Sequence, residues 1–496
     1  MPLDSPDTGA PANRTSRTGQ RIRRPGLFSR EFVWITLGSC ALVFLGAFES
    51  LAVTTIMPVV SADLDGARLY ALAFAGPLAT GVIGMVLAGN WSDRSGPVAP
   101  LYTSSVLFAI GLLVAGTAFT MPVLVAGRLI QGLGTGAVTV ALYVVVARIY
   151  PARLHPSIFA GFAAAWVIPS LIGPFAAGLV TEALSWHWVF LGVVGLVAIA
   201  TAMVAPALRG LSGPGSAATI TTGPIPIAGG TDDHATASPV RWAFGRIAWA
   251  ILAALAVLAL SLVSQIEGIG LPLAGIAAII AIVAVRPLLP RGTLRGRRGL
   301  PSVILLRGLA ASAFFGAEVY LPYLLIERHG FSPSLAGLAL TLGALAWAGA
   351  SWLQGRFSET LTNAACTTAG SVLVFLAILA ALATTFFGLP PAVAIGGWVL
   401  GGGGMGLMYP RLSTLTLALS GPGEQGFNSS ALAIGDSLGS ALSLALTGVV
   451  FALFAPFGYS FAGVFAFAAA IAVIAVAVAP RVTEKTLSPA SSPARE

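Results

Sequence analysis

Charged side chains are scarce in this sequence of 496 residues: aspartate, glutamate, lysine and arginine make up 9% of it, against 56% hydrophobic residues. Because a soluble domain carries about a quarter of charged residues, the composition excludes a water-soluble globular protein. The 59 glycines suit helices in lipid, where small residues let backbones approach closely. The sequence therefore predicts an all-α polytopic membrane protein, with the lipid bilayer as its main surroundings.

Cysteine and histidine are also rare. The 2 cysteines, Cys40 and Cys366, lie far apart in apolar runs, so we expect neither a disulfide nor a metal site. The 4 histidines do not cluster, and the short loops carry no catalytic group of acids and histidines. We therefore expect no enzyme, no metal and no cofactor.

The net charge is +8, and the position of the arginines decides what it means. They lie mainly in the tails and in alternate loops, which is the pattern of the positive-inside rule. This placement argues against nucleic-acid binding. It predicts a multi-pass protein of the cell inner membrane with both termini in the cytoplasm. The predicted cytosolic loops carry Arg94, Arg148, Arg153, Arg209, Arg241, Arg291, Arg295, Arg297 and Arg298, and the opposite loops carry Asp63, Asp65, Glu182, Glu267 and Glu327.

With about 20 apolar residues for each crossing, the hydropathy pattern predicts fourteen spans, numbered here in chain order. Their predicted ranges are 32–57, 69–90, 98–118, 122–147, 157–180, 187–207, 243–264, 271–289, 302–326, 334–354, 366–387, 391–417, 427–454 and 457–479.

The chain divides into two bundles of six spans with two further spans inserted between them. Residues 209–242 are rich in glycine, proline, threonine and alanine and predict a flexible cytosolic linker. The predicted divisions are a disordered tail at 1–31, a first bundle at 32–208, the linker, the inserted pair at 243–290, a basic loop at 291–301, a second bundle at 302–480 and a tail at 481–496.

An internal repeat supports this division. The segment Gly89-Asn-Trp-Ser-Asp-Arg follows span 2, and Gly355-Arg-Phe-Ser-Glu-Thr follows span 10. Weak parallel repeats of six helices are the internal symmetry of one large transporter fold, although chance similarity between apolar helices is the alternative. The glycines of span 4 recur in span 12: Gly127, Gly132, Gly134 and Gly136 correspond to Gly397, Gly402, Gly404 and Gly406.

Glu49 lies within span 1, where an ionised and unpaired carboxylate would be costly. It should therefore face a partner or a water-filled cavity, or carry a proton. Helix rise places Glu49 about 12 Å from the outer end of span 1 and Arg128 about 10 Å from the outer end of span 4. We expect the two charges to share one level and one cavity, either as a proton-coupled switch or as a static ion pair.

Two further acids lie within spans. Glu318 on span 9 occupies the position of Glu49 in the repeat, and Trp398 occupies that of Arg128. Without a fixed cation, Glu318 is a second candidate proton site. Asp436 lies near the middle of span 13 and is expected to bind a proton or substrate, or to hydrogen-bond neighbouring helices.

Aromatic side chains and one glutamine are candidates for the lining of a cavity that takes lipophilic substrates. Helix packing is the alternative role for the aromatic ones. The candidates are Phe48, Gln131, Trp166, Phe314, Phe315, Tyr320 and Tyr323.

Three elements in this order resemble motifs of the major facilitator superfamily, and more narrowly its drug:proton antiporter branch with fourteen spans. That branch has two extra helices between its six-helix halves. The elements are Gly89-Asn-Trp-Ser-Asp-Arg-Ser-Gly, Arg128-x-x-Gln131-Gly132-x-Gly134-Thr-Gly136 and Pro169-x-x-x-Gly173-Pro174-x-x-x-Gly178. The segment from Glu49 to Pro58 is similar to the family's first-helix motif.

The resemblance implies roles for these residues. Arg128 would be the proton-relay arginine, and Glu49 would stand where the family usually has aspartate. Asp93 would latch the two halves together on the cytosolic side in the outward-open state. The implied conformational-switch residues are Gly89, Asp93, Arg94, Gly96, Gly173 and Pro174, the last two through packing of span 5 against the other half.

Together these features predict a monomeric, proton-coupled exporter of amphipathic small molecules, of the multidrug type linked to antibiotic resistance. Carboxylates in the cavity would favour cationic cargo, and the driving force would be a proton gradient. The alternative on the same fold is an exporter or flippase of an endogenous lipid or metabolite. An importer of small solutes is disfavoured by the Gly-Pro motif of span 5.

Overall fold

A computed structural model describes residues 26–151, 154–209, 244–263, 266, 269–357, 360–420 and 425–483. Residues 210–242 of the predicted linker, Arg153, Glu267 and most of the two predicted tails lie outside these residues.

The described chain forms fourteen segments long and apolar enough to cross a membrane, which confirms the predicted number, and it contains no β-strand. The helices of spans 1 to 8 are Val33–Asp63, Tyr70–Ser95, Val98–Gly116, Met121–Ile149, His155–Ala183, His187–Arg209, Phe244–Val263 and Gly270–Val285. Span 9 consists of Leu300–Glu318 and Tyr320–His329, and spans 10 to 14 are Pro333–Arg356, Asn363–Phe387, Pro391–Ala418, Gln425–Phe454 and Ser460–Val478.

The segment 89–96, which the predicted range of span 2 places mostly beyond the helix, is mostly helical. Span 2 continues through Ser95, and the chain turns only at Gly96 and Pro97. Gly96 has a φ of +85°, which a residue without a Cβ adopts readily. A residue that precedes proline is also disfavoured in the helical region, and Gly96 precedes Pro97. The helix therefore ends at Gly96, where the glycine and the following proline act together.

Span 9 is interrupted at Val319, directly after Glu318. Pro322 lacks the N–H that would bond to the carbonyl of Glu318 one turn earlier. The neighbouring carbonyl of Val319 instead accepts a hydrogen bond of 3.0 Å from the Tyr70 hydroxyl of span 2. The backbone at Val319 keeps helical angles of φ −60° and ψ −30°, so span 9 stays one continuous crossing in which Glu318 lies beside an interrupted hydrogen-bond pattern.

The two six-span halves repeat the same packing. Span 4 packs against spans 2 and 3, and span 12 packs against spans 10 and 11. Glycines of spans 4 and 12 lie directly on a neighbouring backbone, so an added Cβ would overlap it. The repeated pairs are Gly132 on Pro77 with Gly402 on Gly343, and Gly136 on Gly81 with Gly406 on Trp347. The predicted register between the halves is thus confirmed in the backbone contacts.

The halves meet through span 5 against span 10 and span 2 against span 13. The inserted span 7 packs on both span 2 and span 13, and span 8 packs on span 7. An apolar cluster joins these elements through Val82, Ala250, Ala284, Ile434 and Leu438. The inserted helices therefore cover one of the two seams between the halves.

The two ends of the bundle are named here by their charges. The acidic face carries Asp63, Asp65, Glu182 and Glu327, and the basic face carries Arg94, Arg148, Arg291, Arg295, Arg297 and Arg298.

The halves are in contact at the acidic face. The Tyr70 ring of span 2 stacks on that of Tyr323 in span 9, with centroids 4.8 Å apart. At the other seam, the backbone N–H of Ser334 in span 10 donates to the Glu182 carboxylate over 2.9 Å. Both contacts join one half to the other, so this end of the molecule is closed.

Towards the basic face, the exposure of span 4 increases. Along one side of span 4, Gln131 is buried, Thr135 is half-buried, and Thr139 and Tyr143 are exposed. Tyr143 lies within electrostatic range of the Arg307 guanidinium of span 9, which belongs to the other half. This side of span 4 is therefore more exposed towards the basic face than in the middle of the span.

Candidate functional site

Glu49 and Arg128 form an ion pair inside the first half. Arg128 donates from Nη1 to the Glu49 carboxylate and to Gln131 Oε1, the latter over 2.9 Å. Its Nε donates to the carbonyl of Ala73 over 3.2 Å. Spans 1, 2 and 4 thus converge on one guanidinium, and the prediction that the two charges share a level is confirmed.

This pair is closed to solvent, with 2% of Glu49 and 4% of Arg128 exposed. The expected depth of Glu49 is wrong, because span 1 continues past Pro58 to Asp63. About fourteen residues separate Glu49 from that end, which amounts to about 21 Å. The acid therefore lies near the middle of the membrane-spanning helix.

Glu318 has no ion pair among the described residues. The indole N–H of Trp398 faces its carboxyl group, but this N–H completes no hydrogen bond of ordinary geometry within the described structure. Trp398 is fully buried and stacks on Phe314, with ring centroids 4.8 Å apart. The second half thus repeats the arrangement of Glu49 and Arg128 with an aromatic side chain in place of the cation.

Asp436 has a partner that sequence reasoning missed. Arg307 of span 9 donates from Nε to Asp436 Oδ1 over 2.8 Å, and the Tyr409 hydroxyl donates to the same oxygen over 2.9 Å. The sequence did contain a signal for Arg307, because it is an arginine inside an apolar span, as Arg128 is. Nothing in the sequence indicated which acid it would meet, 129 residues away.

An aromatic row connects the two acids of the second half. From Trp398 it continues through Phe314, Trp347 and Tyr409, with centroid distances of 4.8, 5.9 and 5.2 Å between successive rings. Glu318 lies beside its first ring and Asp436 beside its last. Glu318 and Arg307 are about 16 Å apart along span 9, so the row connects two levels of the second half.

Several predicted cavity residues have other positions. Gln131 is buried and accepts a hydrogen bond from Arg128. Phe48 of span 1 packs against Gly173 of span 5. Tyr320 and Tyr323 form part of the closed acidic face and line a separate cavity of about 270 Å³ beside spans 7 and 13. Neighbouring helices use these side chains for packing, and their assignment to the central cavity stays a prediction.

The remaining candidates divide between core and surface. Phe314 is buried, Phe315 is half-buried, and their rings lie 5.6 Å apart in an edge contact. Trp166 of span 5 is 50% exposed.

The end of span 2, where most of the implied switch residues lie, is hydrogen-bonded to span 4. Arg148 of span 4 donates from Nη2 to the carbonyl of Ser92 over 3.2 Å and lies against Gly96. Gly89 and Arg94 are within the helix, and the side chain of Asp93 lies outside the described residues. The latch implied for Asp93 stays a prediction.

On span 5, the two residues of the Gly-Pro motif face different partners. Gly173 lies against Phe48 of the same half, whereas the carbonyl of Pro174 lies directly on Gly337 of span 10. Gly178, one turn further, lies on the backbone of Ser334. Packing against the other half therefore involves Pro174 and Gly178, and the expectation for Gly173 is wrong.

Comparison with known sequences finds transporters. The chain is 34% identical over 149 residues to an uncharacterized transporter of Schizosaccharomyces pombe, covering 30% of this chain and 25% of that protein. It is 29% identical over 157 residues to multidrug resistance protein 3 of Bacillus subtilis, covering 32% and 31%. These matches thus span between about a quarter and a third of the relatives' lengths. The multidrug efflux pump SdrM of Staphylococcus aureus is 23% identical over 424 residues, covering 83% of this chain and 88% of that pump.

Solved structures show the same fold at low identity. A peptide transporter of the POT type in complex with alafosfalin has a TM-score of 0.64 at 16% identity, covering 91% of this chain and 94% of that one. A D-xylose–proton symporter has a TM-score of 0.61 at 15% identity, covering 92% and 99%. The family model of the Major Facilitator Superfamily matches residues 39–444. The chain therefore belongs to the Major Facilitator Superfamily.

Proposed function

We propose that this transporter is a proton-coupled exporter that exchanges protons for amphipathic small molecules by alternating access. The observation that carries the proposal is the buried ion pair of Glu49 and Arg128 in the middle of the first half. A charged pair removed from water is costly to maintain, and acids within membrane spans typically mark proton pathways.

The pair supplies a two-state element that a proton can bias. Protonation of Glu49 removes the negative charge and weakens its attraction to Arg128, so it favours a conformation in which the two side chains separate. Loss of the proton restores the pair. Because only a difference in affinity between two states shifts their equilibrium, this difference would couple the proton gradient to the movement of the halves.

The conformation fits one step of that cycle. The halves are in contact at the acidic face, and the positive-inside rule assigns the basic face to the cytosol. The pair of Glu49 and Arg128 is formed. This is the state expected after a proton has left to the cytosol and before cargo enters. Return of the proton from the opposite side would follow the release of cargo there.

Glu318 is the second proposed proton site. It lies inside a span at the first ring of the aromatic row and has no ion pair in the described structure. Trp347 of the row and the neighbouring Phe315 are half-buried and would offer aromatic surface for amphipathic cargo, since ring stacking and edge contacts suit aromatic ligands. Cargo and proton would then share one side of the cavity.

The test uses purified protein in liposomes with an imposed pH gradient and a panel of amphipathic compounds. Antiport predicts that cargo moves opposite to the proton, whereas symport predicts movement in the same direction. Glu49→Gln should abolish accumulation driven by the gradient, and Glu318→Gln should reduce it. Glu31→Gln is the matched control, because this acid is exposed and lies before span 1.

A static ion pair makes the opposite prediction. If Glu49 and Arg128 serve only stability, the double variant Glu49→Gln/Arg128→Gln should fold and couple transport to the gradient as the natural protein does. Coupled transport by that variant would overturn the proposed role of the pair.

A further inference from the structure

The guanidinium of Arg307 lies in a pocket built from groups that attract cations. Its Cζ lies 3.5 Å from the centre of the Tyr409 ring, and its Nε bonds to the Asp436 carboxylate over 2.8 Å. Its Nη1 donates to the carbonyl of Tyr409 over 3.3 Å and to the Ser413 hydroxyl over 3.4 Å. An aromatic face, a carboxylate and two neutral oxygens thus converge on one planar cation.

This pair differs from that of Glu49 and Arg128 in its access to the cavity. The side chains of Arg307 and Asp436 are 17% and 26% exposed, whereas those of Arg128 and Glu49 are 5% and 3% exposed. Ser413 is exposed. The cation site is therefore accessible, whereas the pair of Glu49 and Arg128 is closed.

We infer that Asp436, Tyr409 and Ser413 form a recognition site for a planar, delocalised cation of the guanidinium or amidinium class, and that Arg307 is its tethered occupant, displaced when such a cation binds. The identification of this cation as cargo rests on the proposed export function. Binding itself requires no gradient and no transport, so it is tested independently.

The chemistry favours a cation over an anion at this site. Arg307 supplies the positive charge here, and the other groups in contact with it present the Asp436 carboxylate, two oxygens and the face of the Tyr409 ring. Removal of the guanidinium would leave Asp436 with only the Tyr409 hydroxyl as a partner among the described residues. A carboxylate combined with an aromatic face attracts a cation through charge and through the ring quadrupole.

Arg307, as the tethered occupant, should control how tightly the site binds free cations and how strongly it prefers them to neutral molecules. A group held beside its site competes as if it were present at a millimolar or higher concentration, so a free cation must displace it. Removing Arg307 should therefore raise the affinity for a planar cation by about tenfold or more. A neutral molecule of the same shape should gain little, since it cannot replace the charge beside Asp436.

The experiment is calorimetric titration of the purified full chain in detergent with 4-phenylbenzamidinium and, separately, with its neutral isostere 4-phenylbenzamide. Arg307→Ala should bind the cation about tenfold or more tightly than the natural protein and the amide about equally. Arg307→Lys keeps a tethered cation and should show no such gain. The double variant Arg307→Ala/Asp436→Asn should lose it.

Arg328→Ala is the matched control. This arginine also lies on span 9 and over an aromatic ring, with its Cζ 5.9 Å from the centre of Phe461, but it has no ion pair in the described structure. The Arg328→Ala protein should bind the cation and the amide with the affinities of the natural protein. Arg307→Met serves as a second variant should the alanine protein fail to fold.

The inference is overturned if neither Arg307→Ala nor Arg307→Met binds the cation more tightly, or if the amide gains as much. It is also overturned if the gain survives in the double variant with Asp436→Asn. A tighter cation complex together with a failure of proton antiport in liposomes would uphold this site and refute the proposed export mechanism.

Discussion

Trp398 faces the carboxyl group of Glu318 from the position that an arginine occupies beside the corresponding acid of the first half. Its indole N–H is buried and completes no hydrogen bond among the described residues. The two halves therefore share a backbone arrangement and differ in charge at one matched pair of positions. This asymmetry leads to the first prediction.

Replacing Trp398 by phenylalanine should have little effect on stability. The variant keeps the stack on Phe314 and loses a donor that has no partner, so only the smaller ring volume should cost stability, about 1–2 kcal/mol. Trp398→Ala should cost about 3–5 kcal/mol. Thermal unfolding in detergent measures both. A cost for Trp398→Phe as large as that for alanine, removed by Glu318→Leu, which has no acceptor, would show that the N–H is bonded to Glu318.

The ion pair of Glu49 and Arg128 should behave as one energetic unit. Removing one member leaves a buried charge without its partner, which costs about 3–5 kcal/mol. Glu49→Gln and Arg128→Gln should each destabilise the protein strongly, and the double variant should recover part of the loss. Unfolding of all four proteins in one detergent gives the coupling energy. Additive single effects would contradict a coupled pair.

Adjacent glycines of span 12 should respond in opposite ways to alanine. A Cβ at Gly402 would overlap the backbone of Gly343 on span 10, whereas a Cβ at Gly403 has no neighbouring atom within 4 Å. Gly402→Ala should therefore separate spans 10 and 12 and destabilise the protein by about 1–3 kcal/mol. Gly403→Ala should be neutral or stabilising by up to about 1 kcal/mol. Equal melting temperatures for the two variants would refute the close approach.

Closure at the acidic face should depend on Gly337. Its Cα lies directly on the carbonyl of Pro174 and close to the Thr55 methyl of span 1. Gly337→Ala should weaken this seam and increase the population open at the acidic face. Distance measurements between spin labels placed across that face would report the shift. Gly349→Ala on the same span, with no atom within 4 Å of the added Cβ, should leave the distances unchanged.

Much of the architecture follows from local features of the sequence. Fourteen apolar segments, the repeated glycines and the shared level of Glu49 and Arg128 are all confirmed. Each depends on hydropathy or spacing along one chain, because a helix rises by a constant distance per residue. The depth of Glu49 was misjudged for a related reason, since Pro58 did not end its helix.

By itself, then, the sequence determined the spans, their order and the internal repeat. Only the tertiary structure decided which side chains face the cavity, which pack between helices and which charges meet, as the pair of Arg307 and Asp436 shows. The physical reason is that lipid and helix interior are both apolar, so hydropathy does not distinguish the sides of a span. Partners on distant spans are selected by the packing of whole helices, which no local pattern records.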